Sequence, residues 1–115
     1  MATKTEERVD VSQYINRVDV CADWRKQEAD MLLKMQQLDK RQLNAEEILA
    51  SPDSLMPEKR AADVVLAECK VRRGKIEAGL DRARRAITGL RDEIARMQPE
   101  YDRQQSRIKR AKDLH

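Results

Sequence analysis

From Ala62 onward the chain repeats a 4-3 spacing: Ala62, Leu66, Cys69, Arg73, Ile76, Leu80, Ala83, Ile87, Leu90, Ile94, Met97, Tyr101, Gln104, Ile108 and Ala111. An average step of about 3.5 residues keeps every one of these side chains on a single helical seam. Only Arg73 and Gln104 among them are strongly polar. Such a seam requires a long partner helix, and this requirement limits the fold more than any other feature of the chain.

The first half can supply that helix. Nothing between about residue 11 and Ala50 breaks a helix, since neither Gly nor Pro occurs there. Its apolar residues fall into two stripes. One is Val11, Ile15, Val18, Ala22, Ala29 and Leu32; the other is Tyr14, Cys21, Trp24, Met31, Met35, Leu38, Ala45 and Leu49. Together they make a face wider than one partner helix covers, and the surplus width predicts a second contact. Residues 1–10 are polar and read as a tail, with Thr3 and Glu6 spaced as a capping box.

Between the two halves, Ser51-Pro-Asp-Ser-Leu-Met-Pro57 gathers two of the three prolines with two serines and an aspartate. This predicts a turn over 51–57, with Pro57 and Glu58 suited to the first turn of the next helix. Gly74, Gly79 and Gly89 weaken that helix by about 1 kcal/mol each relative to Ala, but the ladder keeps phase through Gly74. Pro99 removes a helical hydrogen bond and predicts a kink or break at 95–99. The reading is therefore all-α: an antiparallel two-helix coiled-coil hairpin over 11–98, with a short, basic third helix over 99–115. Folding about the turn places Leu38 near Cys69.

Composition supports this and removes other classes. Charged residues are 39% and aromatics 3%, with no Phe, a makeup of long solvated helices and not of a ring-packed core. Residues 1–56 carry a net charge of −3 and the remainder +6, which suits pairing of the two halves or of two copies. No apolar run approaches the length of a membrane span, and the start lacks an apolar signal core, so a soluble, cytoplasmic chain is expected. Two cysteines and one terminal histidine cannot make a zinc site, and no phosphate loop or catalytic constellation occurs. No cofactor, metal or enzymatic activity is expected.

What remains is helix binding: a non-catalytic coiled-coil adaptor or assembly subunit, of the kind found among secretion-type chaperones and stalks. It would work as a homo-oligomer or within a larger complex. The candidate contact residues are Tyr14, Trp24, Met31, Met35, Ile87, Leu90, Tyr101 and Ile108. Trp24 stands out because tryptophan is enriched among binding hot spots, and the methionines because they adapt to irregular partners. The alternative is a nucleic-acid-associated protein using the basic second half, with Arg72, Arg73, Lys75, Arg84, Arg85, Arg107, Lys109 and Arg110 contacting phosphates or an acidic surface. These cations scatter around the helix and lack interleaved aromatic platforms, which favours a solvated face.

Overall fold

Two long helices packed against each other make up the protein, α1 over Val11–Ala50 (40 residues) and α2 over Met56–Asp113 (58 residues). The computed structural model describes residues 11–114. The tail, its capping box and the terminal histidine lie outside the described residues. Helix accounts for 94% of what is described, with no strand.

The linker follows from its residues. Pro52 disfavours a helical conformation at the residue before it, so α1 stops at Ala50. The Ser51 amide still donates to the Glu47 carbonyl at 3.0 Å, and the Ser51 hydroxyl accepts from the Asp53 amide at 3.3 Å. Leu55 offers its carbonyl to the Lys59 amide at 3.0 Å, so Pro57 sits in the first turn of α2, where its missing N–H has no intrahelical partner to lose.

One expectation is corrected. The helix does not break at Pro99: α2 runs through it, and residues 100–113 are its last turns, not a separate third helix. Pro99 and Ala95 are both exposed, so the carbonyl that loses its partner can be solvated. The flanking residues Gln98 and Tyr101 are both held by Tyr14 of α1. Leu38 and Cys69, expected near each other, are both buried, and Leu38 shares a groove with Arg72, Lys75 and Ile76. Gly74, left open by the sequence, does not interrupt α2.

The chain divides into two compact units. In Lys26–Arg84 the α1 seam reads Glu28, Met31, Met35, Leu38, Gln42, Ala45 and Leu49, all buried or half-buried. Against it α2 buries Ala62, Cys69, Leu80 and Ala83. A Cβ built on Gly79 would lie 2.9 Å from the Met31 sulfur, so the Met31 side chain lies over Gly79 at this level. The other unit, 11–25 with 85–114 among the described residues, buries Tyr14, Cys21 and Ile87, while Leu90, Ile94, Met97 and Tyr101 are half-buried. Both cysteines are free and buried.

Candidate helix-docking surfaces

The second stripe read from α1 is the one that the structure packs inward, and three polar residues complete its heptad: Arg17, Glu28 and Gln42. Each meets a counterpart on α2. Arg17 Nε lies 2.5 Å from a Glu93 carboxylate oxygen. Glu28 accepts from Arg84 Nε at 3.2 Å. Gln42 accepts from Arg73 at 2.9 Å, and the same guanidinium reaches Asp39 at 2.5 Å. The hydrogen bond to Asp39 is the main reason that the Arg73 pKa rises above its ordinary value, against a smaller opposing effect of desolvation. The raised guanidinium pKa keeps Arg73 charged throughout the neutral range, so the arginine side of the pair is lost only in strong base. Polar seam positions satisfied in one register and stranded in others select that register.

With the seam closed within the chain, the predicted contact residues sort themselves by burial. Tyr14 and Ile87 are buried in it, and Trp24, Met31, Met35, Leu90 and Tyr101 are half-buried seam positions. Tyr14 stacks on Tyr101 with ring centroids 4.1 Å apart, and its hydroxyl donates to Gln98 Oε1. The Gln98 amide in turn donates to Asp102 at 2.8 Å, which orients its oxygen toward Tyr14. Ile108, 47% exposed, is the one residue of the predicted set left open.

The first stripe of α1 remains outside the seam, with Ile15, Val18, Ala22, Ala29 and Leu32 all exposed. In the Tyr14 unit, Val18 and Ala22 join Ile94 and Ala95 of α2 along a groove of about 430 Å³, edged by Arg25, Arg91 and Gln98. Val18, Ala22, Ile94 and Ala95 give the groove an apolar lining, to which Arg25, Arg91 and Gln98 add charge and an amide.

The predicted basic residues are divided between the two units. Arg72 and Lys75 line a groove of about 520 Å³ in Lys26–Arg84, together with Lys34 and Arg41 and an apolar floor of Leu38 and Ile76. Lys34 is paired with Asp30 at 3.1 Å and Arg41 with Glu68 at 3.8 Å. Arg73 and Arg84 turn to the carboxylates of α1. Arg85 is exposed, and Arg107, Lys109 and Arg110 lie on the exposed last turns of α2, in the other unit. Lys34 and Arg41 escaped sequence reading because they belong to the acidic half. Counting heptad positions without regard to polarity would have shown them flanking Leu38.

Among the described residues, no cluster of His, Cys, Asp and Glu could hold a metal ion, and no helix is long and apolar enough to cross a membrane. No family model, curated protein or solved structure matches the chain. The functional reading therefore rests on these surfaces.

Proposed function

We propose that this chain is a non-catalytic coiled-coil adaptor or assembly subunit that holds a partner helix within a larger cytoplasmic complex, as a secretion-type chaperone or stalk component would. The observation that carries the proposal is the apolar groove of Val18, Ala22, Ile94 and Ala95. It stays open after the seam is satisfied, with exposed Ile15 on the same stripe of α1. On this reading α1 and α2 form an antiparallel hairpin. The order of the contacts supports it: Glu28 with Arg84, Met31 with Gly79, and Asp39 with Arg73, descending on α2 as α1 ascends.

A second reading, binding of phosphates or of an acidic surface, draws on the groove edged by Lys34, Arg41, Arg72 and Lys75. Capture of partners from the native source at moderate salt, with and without nuclease, separates the two. Ala22→Asp is the informative variant, because Ala22 is exposed and the change leaves the seam alone. Retention of a protein partner after nuclease, lost with Ala22→Asp, supports helix docking. Loss of all bound material to nuclease, or steep weakening with log salt and indifference to Ala22→Asp, overturns it in favour of the basic groove.

A further inference from the structure

α2 carries a second, outward stripe within Lys26–Arg84. Val64, Ala67, Val71, Gly74 and Ala78 repeat the 3-4 spacing on the side away from the seam, and all five are exposed or open to solvent. Val64 and Val71 are 57% and 60% exposed, among the most exposed large apolar side chains of the chain. Nothing lies within 4 Å of a Cβ built at Gly74, and Ala67 and Val71 floor a shallow groove of about 360 Å³. The stripe ends at Arg60 on one side and at Asp81 and Arg85 on the other.

The charges that border this stripe are complementary to themselves. One border reads Asp63, Lys70, Glu77 and Arg84; the other reads Glu68, Lys75 and Arg82. When two helices pair antiparallel, each border of one faces the same border of the other in reverse order. Take a two-fold axis between Arg72 and Arg73. Val71 of one copy then meets Gly74 of the second copy, and Ala67 meets Ala78. The borders bring Lys70 to Glu77, Asp63 to Arg84 and Glu68 to Lys75, each twice by symmetry. Every one of these meetings is between opposite charges. In a parallel pairing in register, one border would instead face the other, setting Lys70 beside Lys75 and losing the complementarity.

We infer that this face of α2 is the contact through which two copies of the chain associate, antiparallel, about an axis at Arg72 and Arg73. Glycine and alanine in the stripe let the backbones approach closely, and the valines supply the apolar burial. The paired length is about three heptads, shorter than a standard interface provides, so association is weak. Part of its strength is ionic, so it weakens as salt rises. This inference uses a different face from the partner-helix groove and is tested on the purified chain alone, so either can fail without the other.

Sedimentation equilibrium of the purified chain at low salt is the test, with helical circular dichroism as the control for folding. Lys70 and Glu77 are exposed and border the seam only from outside. Lys70→Glu and Glu77→Lys should each weaken self-association roughly tenfold, because each sets like charges together at two symmetric places. An equimolar mixture of the two variants should regain the original affinity as a heterodimer, since every Lys70–Glu77 meeting is again between opposite charges. Val71→Glu should abolish association with helix content unchanged. A chain that stays monomeric at about 100 μM, association indifferent to Val71→Glu, or a mixture that fails to recover would each overturn the inference.

Discussion

The two units solve the same packing problem with different side chains. In Lys26–Arg84 the fully covered positions are mostly small: Ala45, Ala62, Cys69 and Ala83 are at most 3% exposed, with Leu38 and Leu80 between them. In the same unit the flexible Met31 side chain covers Gly79. In the unit formed by 11–25 and 85–114, the seam is filled by Tyr14, Ile87, Leu90, Ile94, Met97 and Tyr101, and most of these stay half-buried. There a single residue, Tyr14, joins Gln98 and Tyr101 across Pro99. One unit spreads its covered contacts over small residues, and the other gathers them around an aromatic clasp. A region of the second kind opens locally at lower cost.

The largest effect should follow from breaking the small-residue seam. Leu80→Asp places a carboxylate at a 6%-exposed seam position, at a cost of several kcal/mol. Circular dichroism should show collapse of the helical signal. Retention of that signal would mean that the small-residue seam is not the main source of stability.

Tyr14→Ala should cost less, about 2–4 kcal/mol, through lost burial, the lost ring stack and an amide left without its donor. The effect should be local. Amide hydrogen exchange should accelerate over 90–104 and stay slow over 62–83. Uniform acceleration in both stretches would erase the distinction between the units.

The two glycines sharpen the comparison further. Gly74→Ala meets open space and should stabilise by about 1 kcal/mol through helix propensity alone. At Gly79 the same gain is offset by displacement of the Met31 thioether, so Gly79→Ala should be close to neutral. Equal stabilisation at both sites in urea denaturation would show that the close approach is absent. The smallest effect belongs to Arg84→Glu. This pair with Glu28 is largely exposed on the arginine side, and its reversal should cost at most about 1 kcal/mol with helix content intact.

Much of this was legible in the chain. The ladder from Ala62 to Gln104 is the buried or half-buried side of α2, because a 4-3 apolar repeat has few other uses. The linker was legible because Pro52, Ser51 and Pro57 each have a definite conformational preference. The α1 seam was only partly readable: Arg17, Glu28 and Gln42 are polar by themselves and acquire seam character only through Glu93, Arg84 and Arg73 on the other helix. Pro99 misled for a related reason. A local rule for helix breaking does not include a tertiary contact at Tyr14, which holds the residues on both sides of it.

The central claim is that α1 and α2 share one seam in the register that sets Met31 against Gly79. A disulfide tests it directly, since bridged Cα atoms must lie within about 7 Å. In a Cys21→Ser, Cys69→Ser background, Met31→Cys with Gly79→Cys should oxidise to a bridge within one chain at low protein concentration. Met31→Cys with Ile76→Cys, the partner expected from the turn composition alone, should not. Formation of the Met31–Ile76 bridge in preference, or only of bridges between chains for the Met31–Gly79 pair, would contradict the account.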